Sequence, residues 1–267
     1  MSIKSKVLAA AATLTLVGGV GVAGALTAGT ASAATPSCGN SCIDIFSHQF
    51  GTHTEPNYVV DVLRQGEKVG QPIILFRTAN FDPAEDWTLA FQGTTADFFA
   101  AGLVSADVAL HYGCIPAGLA GANFPDCYGQ NTIAVNDPAF EIEYAPFGVD
   151  SGLCMGVAST AVQEEGVTLQ PCGVSSKTVW IDDIFDSLNT LFGGYVPVIN
   201  GSDTNFSQPF VLTYPNSGYP TDLPRPQLQV DNITGFSNSS PPFFIPGPEL
   251  GTVDVNQLWG ADIGILK

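Results

Sequence analysis

The chain has 267 residues, with 25 acidic and 8 basic side chains and a formal net charge of −17 at pH 7. A surface with so few Lys and Arg residues is repelled by phosphate backbones and by anionic lipid, so the composition argues against nucleic-acid and membrane partners. The 29 glycines and 19 prolines are typical of a turn-rich β protein.

The first residues have the pattern of a secretory signal. Two lysines precede an apolar run that begins at Val7, and small residues follow as far as Ala33. This pattern predicts a cleaved signal peptide at residues 1–33 and an extracellular destination. Glycines interrupt the apolar run, which is unlike a membrane span. We therefore expect one large secreted domain at residues 34–267.

Strand signals dominate the remaining chain. Residues 58–63 and 73–76 are β-rich runs separated by a polar, Gly-containing stretch. Apolar and polar residues alternate at 87–91, 140–144 and 167–169, which predicts half-buried strands. The sequence thus indicates an all-β domain.

One segment has helical spacing instead. Asp182 and Asp183 precede apolar residues spaced as on a helix face, and Gly193 and Gly194 follow. This arrangement predicts one short helix. Its acidic start, which includes Asp186, is better explained by the helix dipole than by a calcium site.

The stretch Pro215–Pro248 is rich in proline but also carries phenylalanines. A disordered linker would lack such apolar residues. We predict a long ordered excursion that packs on the domain.

Three tryptophans close similar passages of the chain. An apolar strand, a Gly-containing turn, a second apolar strand and a polar loop lead to each of Trp87, Trp180 and Trp259. Such repetition indicates three copies of one supersecondary unit. We expect the tryptophans to be core residues, although stacking on a ligand is the alternative.

Taken together, the three passages resemble the ricin-type β-trefoil, a lectin-like family whose repeats end in Gln-x-Trp. Gln257-Leu258-Trp259 matches that signature in full, whereas the other two passages share only its tryptophan. The resemblance implies a β-trefoil with three pseudo-repeats, at roughly 42–139, 140–191 and 192–267, and long loop insertions. The chain also resembles secreted proteins of actinobacteria.

The family resemblance implies a sugar site in the first repeat. Asp61 and Phe76 occupy the positions of the family's carboxylate and aromatic ring, where the carboxylate accepts sugar hydroxyls and the ring packs on the sugar. Ala84 stands near the position of the family's Asn, so Asn80 or Glu85 would have to replace that contact. The alternative for Asp61 is a structural residue that bonds backbone amides.

The other two repeats lack these groups. The second repeat has Gly156 and Gln170 at the corresponding positions, and the third has Pro197 and Thr213. We expect no sugar site in either repeat.

The cysteines fit an oxidising compartment. They fall in three local pairs, although six cysteines allow many other pairings. The predicted pairs are Cys38 with Cys42, Cys114 with Cys127, and Cys154 with Cys172, the last of which matches the family's disulfide within a repeat. Zinc is the alternative, but paired Cys-x-x-Cys knuckles are missing from the sequence.

Catalytic patterns are weak. Ser151 follows Asp150 as in a serine-protease segment, but the glycine expected before that aspartate is missing and no histidine motif accompanies it. His48, His53 and Glu55 are more typical of a solvated turn than of a metal site. The carboxylate pairs Glu141/Glu143 and Glu164/Glu165 suggest a glycosidase, but such pairs arise readily in an acidic chain.

The sequence thus favours a secreted, non-catalytic protein that binds a glycan or extracellular polysaccharide, with no cofactor and no metal. The alternative is a protein-recognition or structural role, including protease inhibition, in which the Pro215–Pro248 excursion contacts another extracellular protein. A glycoside hydrolase is the third hypothesis.

Overall fold

The computed structural model describes much of the chain after residue 41, and every described residue lies in one compact unit, Thr35–Lys267. The described residues are 42–52, 55–78, 82–112, 138–182, 195–206, 208–215, 219–234 and 253–263. The predicted signal peptide and the predicted helix after Asp182 lie outside them.

The described chain is built mainly of strands. They are β1 (Ile43–Ser47), β2 (Gly51–Thr52), β3 (Glu55–Pro56), β4 (Tyr58–Val62), β5 (Ile73–Arg77), β6 (Trp87–Thr94), β7 (Pro138–Tyr144), β8 (Leu153–Val157), β9 (Glu165–Pro171), β10 (Val179–Asp182), β11 (Val198–Asn200), β12 (Phe210–Thr213), β13 (Gln229–Asn232) and β14 (Trp259–Ile263). Two short helices, α1 (Thr95–Ala100) and α2 (Ala106–Tyr112), follow β6. Within the described ranges, no helix is long and apolar enough to cross a membrane.

Leaving aside the small β2–β3 ladder, twelve strands form one continuous sheet of three four-strand groups. The groups are β1, β4, β5 and β6; β7 to β10; and β11 to β14. In each group the second and third strands form an antiparallel pair, and the last strand pairs with the first strand of the next group. Because β14 pairs with β1, the arrangement closes on itself as a β-trefoil.

The sheet also pairs within each group. The first strand contacts the last at Ile43–Trp87 and at Phe140–Trp180, and in the third group an isolated bridge joins Val196 to Trp259. Each tryptophan is thus held at the same place in its repeat. The predicted all-β trefoil with three pseudo-repeats is confirmed.

The indole of each tryptophan makes the same hydrogen bond. Nε1 of Trp87 donates to the carbonyl of Val60 at 2.9 Å, Nε1 of Trp180 to that of Met155 at 2.9 Å, and Nε1 of Trp259 to that of Leu212 at 2.7 Å. All three rings are fully buried in one apolar core. A large indole ring can be buried when its N–H has a hydrogen-bond partner, as each of these has. The three tryptophans are therefore core residues of their repeats.

The β6 strand differs from its sequence pattern. Trp87 is buried, but Leu89 and Phe91, expected on the same buried face, are 39% and 38% exposed. The pairing with β7 shifts register between these two residues, and a β-bulge of this kind re-aims the side chains that follow it. Phe91 packs instead on Phe98 of α1, with ring centroids 4.6 Å apart.

The helical content also differs from the prediction. Both described helices lie in the insertion after β6, where the sequence predicted none. Thr94 caps α1 with a reciprocal capping box to Asp97, a local signal that the strand-dominated pattern obscured.

Of the predicted disulfides, Cys154–Cys172 is confirmed and joins β8 to the end of β9, across a sequence separation of 18 residues. Cys42 is also disulfide-bonded. Its predicted partner Cys38 and the pair Cys114 and Cys127 lie outside the described residues.

Candidate functional site

The tryptophan hydrogen bonds align the three repeats residue by residue. The residue after each acceptor carbonyl faces outward from the core, and these residues are Asp61, Gly156 and Thr213. Thr213, and not Pro197, is therefore the third-repeat counterpart of Asp61. The sequence alignment was wrong here because it took the 195–198 segment, which leads into the first strand of the repeat, for the second strand.

In the second and third repeats, the chain itself occupies the space at the position equivalent to Asp61. A Cβ on Gly156 would lie 2.6 Å from the carbonyl oxygen of Lys177, so this position has no room for a side chain. Thr213 is buried; its Oγ1 donates to the carbonyl of Val211 at 3.0 Å and accepts from Nε2 of Gln257 at 3.2 Å. Neither repeat can present a carboxylate there.

Asp61 occupies this position in the first repeat, at the end of β4. The residue is only 4% exposed. Among the described residues no hydrogen bond reaches its carboxylate. Burial, reinforced by the nearby charge of Asp82 and opposed by that of Arg225, raises the pKa of Asp61 from 3.8 to about 8.

Phe76 lies across the β4–β5 ladder from Val59, on the same outward face as Asp61. The ring is half-buried. Cζ of Arg225 lies 4.0 Å from its centroid, in a cation–π contact. One face of the ring is therefore covered by a guanidinium that is itself half-buried.

Arg225 reaches this site from the long excursion of the third repeat. The excursion is fixed to β5 by the amide of Leu228, which donates to the carbonyl of Ile73 at 2.8 Å, and by a bridge between Ile74 and Gln227. These backbone contacts place Arg225 over Phe76. The part of the predicted excursion that the structure describes is thus ordered and packed on the domain.

Two further carboxylates come from the turn that precedes Trp87. Asp82 caps a 3-10 turn at Pro83–Glu85, where its Oδ1 accepts from the amide of Ala84 at 3.0 Å. The same oxygen accepts from Nε2 of Gln65 at 3.0 Å. The turn carries Glu85, which is buried, back beside Asp61.

The backbone before this turn is strained. Arg64 and Gln65 have φ angles of 58° and 54°, which non-glycine residues adopt at an energetic cost. Gln65 follows soon after β4, the strand that carries Asp61, and in this conformation its side chain reaches Asp82. Strain of this kind concentrates at functional sites.

The structure thus brings three of the four predicted ligand-binding residues, Asp61, Phe76 and Glu85, to one region of the first repeat. The fourth, Asn80, lies outside the described residues. Sequence reasoning missed Asp82 and Arg225. Asp82 had the signal of an Asp before proline, which is typical of a turn start, whereas Arg225 is 149 positions from Phe76 in the chain and had no local signal.

The carboxylate pair of β7 has a structural role that the alternating pattern did not predict. Glu141 and Glu143 are buried instead of solvent-facing. Glu141 accepts from the amide of Gly173 at 2.9 Å and from the hydroxyl of Thr178 at 2.5 Å, and Glu143 accepts from the amide of Gly152 at 2.6 Å. These loops cover the strand, so the pair anchors loops.

In the part of the chain that the structure describes, the other candidate motifs do not assemble into a site. Ser151 donates to the carbonyl of Tyr144 at 2.5 Å, within a turn. His48 stacks on Tyr195 with ring centroids 4.0 Å apart, and His53 lies outside the described residues.

The site has a defined chemistry. Carboxylates of Asp61 and Asp82 offer hydrogen-bond acceptors, the Arg225 guanidinium offers donors in a planar fork, and Phe76 offers an apolar edge. Such a set binds a neutral polyol or a cation far better than a polyanion.

No protein-family model matches the sequence, and no curated protein matches it significantly. The structure is similar to a designed threefold symmetric protein, ThreeFoil, with a TM-score of 0.44, 11% identity and coverage of 83% of this chain and 97% of that chain. It is also similar to a mosquitocidal holotoxin, with a TM-score of 0.43, 14% identity and coverage of 84% of this chain. A third similar structure is an exo-β-1,3-galactanase from Clostridium thermocellum, with a TM-score of 0.44, 12% identity and coverage of 84% of this chain.

The chain spans only 17% of the toxin chain and 30% of the galactanase chain. At these identities and TM-scores the similarities carry no argument about ligand or activity. The β-trefoil assignment depends on the strand pairing and on the three tryptophan hydrogen bonds described above.

Proposed function

We propose that this protein is a secreted, non-catalytic carbohydrate-binding protein that contacts its glycan through the first repeat. The observation that carries the proposal is Asp61. Asp61 is a buried carboxylate that accepts no hydrogen bond from the described residues. At the two equivalent positions, the chain's own groups occupy the space. A carboxylate in such a poorly solvated place is destabilised unless a ligand supplies hydrogen-bond donors.

The neighbouring groups fit sugar hydroxyls. Asp61 accepts hydrogen bonds from hydroxyl groups, and Arg225 donates to hydroxyl oxygens on the other side of the sugar. Because the guanidinium covers one face of Phe76, the ring packs against the sugar by its edge and not in a full stack. One such site gives weak monovalent affinity, so an extended or multivalent polysaccharide is the better ligand.

One feature of the sequence and one of the structure support secretion. The pattern at residues 1–33 is that of a signal peptide, and a disulfide such as Cys154–Cys172 is stable in an oxidising compartment. Detection of the mature protein in culture medium, with its first residues removed, tests this part of the proposal. Retention of the uncleaved chain inside the cell would contradict it.

The test of glycan binding combines a search with a matched pair of variants. The wild-type protein is applied to a glycan array and to insoluble plant and microbial polysaccharides, and the best ligand is measured by calorimetry. Asp61→Asn should lose at least tenfold in affinity, because the amide keeps only one of the two oxygens that can accept from sugar hydroxyls. Asp254→Asn, which alters an exposed aspartate of the third repeat, should bind as wild type. No binding to any glycan, or equal binding by the two variants, would refute the proposal.

A second candidate function is protein recognition by the excursion. Leu223 is 83% exposed and Tyr219 is 54% exposed, although the segment between them is fastened by the carboxylate of Asp222, which accepts from the amide of Tyr219 at 2.7 Å. A rigid loop with an exposed apolar tip binds a partner at a low entropic cost.

The two functions make different predictions for one variant. Leu223→Ser should abolish capture of a protein partner and leave glycan binding unchanged, because the side chain of Leu223 is 83% exposed. Inhibition assays against extracellular proteases provide the first screen. If Leu223→Ser and wild type behave alike in every protein-binding and inhibition assay, the glycan proposal stands alone.

A further inference from the structure

Three carboxylates converge at the end of β4. One oxygen from each of Asp61, Asp82 and Glu85 lies within 4.8 Å of the other two. Asp61 and Glu85 are buried, and Asp82 is half-buried. Like charges held this close in a poorly solvated place repel one another, so the cluster requires compensation.

The surrounding protein compensates these charges only in part. Asp82 accepts from Ala84 and Gln65 through one oxygen. Asp61 accepts no hydrogen bond from any described residue, although 96% of its surface is buried. The charge of Arg225 acts on Asp61, but burial and Asp82 outweigh it, and the guanidinium is placed over the ring of Phe76.

We propose that a divalent cation of the calcium class binds between Asp61, Asp82 and Glu85. Calcium prefers carboxylate oxygens at about 2.4 Å, so two ligands on opposite sides of the ion are about 4.8 Å apart. One oxygen from each of the three carboxylates lies within this distance of the other two, so a single ion can contact all three. No metal motif marks these residues, because the three ligands are spread over residues 61–85 without the fixed spacing of a calcium loop.

The number of protein ligands sets the expected affinity. Three carboxylates are the protein ligands that the described residues supply. The dissociation constant should then be on the order of 10⁻⁴ to 10⁻³ M, as in extracellular modules. The ion would occupy the region of the proposed glycan site, but its binding does not depend on a glycan.

Metal binding is tested without any sugar. Terbium is added to the full-length secreted protein, and its luminescence is excited through Trp87, whose indole bonds the carbonyl of Val60 next to Asp61. A saturable signal that calcium displaces is expected. Calcium itself is then titrated by calorimetry, and the melting temperature should rise with millimolar calcium.

Variants locate the ion. Asp61→Asn and Asp82→Asn should each weaken calcium binding at least tenfold, whereas Asp254→Asn should not change it. Both asparagine variants keep the side-chain shape, and a cooperative melt verifies their fold. If no saturable binding occurs at millimolar calcium, or if both variants bind as wild type, the inference is overturned. Stability that responds to pH but not to calcium would also overturn it, because a shared proton would then be the compensating charge.

The failure of this inference is distinguishable from failure of the glycan proposal. Glycan binding is measured in parallel with calcium and with a chelator. Glycan binding without any calcium binding would overturn only the metal site, and calcium binding without a glycan would overturn only the carbohydrate proposal.

Discussion

Arg225 lies over the ring of Phe76, with Cζ 4.0 Å from the ring centroid, although the two residues belong to different repeats. The excursion of the third repeat thus completes a site whose carboxylates come from the first. Arg225 brings a positive charge near Asp61. The contact covers one face of the Phe76 ring, which leaves the edge of the ring for the proposed ligand.

Removing this guanidinium should weaken glycan binding. Arg225→Ala should reduce the affinity by about tenfold, because one charge-assisted hydrogen bond contributes about 1.5 kcal/mol or more. Calorimetry with the best glycan measures the change. Arg77→Ala provides the control, since it removes the same charge from the neighbouring, exposed residue of β5. Tighter binding by Arg225→Ala would mean that the guanidinium blocks the site.

The three tryptophans should behave as equivalents in stability. Each Trp→Phe change removes an indole donor and leaves a buried strand carbonyl with one partner fewer. We expect each change to lower the free energy of unfolding by about 1–3 kcal/mol. Urea denaturation of Trp87→Phe, Trp180→Phe and Trp259→Phe measures this.

The exposed Tyr219 supplies the control for that series. Tyr219→Phe should alter the free energy of unfolding by no more than about 0.5 kcal/mol. A tryptophan variant that is as stable as the wild type would show that its repeat is not sealed in the manner of the other two.

Much of this architecture was predictable from sequence, because it depends on local patterns. Apolar runs marked the strands around Asp61, and the repeated tryptophans marked the threefold symmetry. The partial site followed from aligning Asp61 and Phe76 with a known repeat pattern.

What could not be predicted depends on long-range contacts. Arg225 reaches the site through strand pairing between distant parts of the chain, which leaves no periodic signal. Glu141 and Glu143 looked solvent-facing because the loops that cover them are far away in sequence. Gln65, which donates to Asp82, and its neighbour Arg64 have positive φ angles that no compositional cue predicts.

The Cys154–Cys172 disulfide should stabilise the second repeat and, through it, the whole barrel. The double variant Cys154→Ala/Cys172→Ala should lose roughly 3 kcal/mol of unfolding free energy, as chain entropy predicts for a closed loop of this length. The urea midpoint under non-reducing conditions measures the loss. An unchanged midpoint would show that the loop is fully ordered by its other contacts.

Two buried tyrosines should destabilise the protein at high pH. Burial, together with the nearby Asp222, raises the pKa of Tyr214 to about 12, and burial raises the pKa of Tyr144 well above its usual range. A phenol with a raised folded-state pKa contributes its stability in full below pH of about 10. That contribution to the free energy of unfolding is lost as the pH rises through the folded-state pKa of the phenol.

Ultraviolet titration of tyrosinate, run beside a thermal melt at each pH, measures this effect. Tyr214→Phe should retain more of its stability above pH of about 10 than the wild type does. The matched variant Tyr219→Phe should follow the wild type closely, since Tyr219 is exposed and is the smallest of the causes that raise the pKa of Tyr214. Equal pH profiles for all three proteins would contradict the assignment.

The most direct test of the central claim is an NMR titration of the folded protein with its best glycan. The account predicts that amide signals shift at Asp61, Phe76 and Arg225 and stay unchanged around Gly156 and Thr213, since the first repeat alone places a carboxylate at this one of the three equivalent positions. Equal shifts at all three repeats, or shifts confined to Gly156 and Thr213, would contradict it.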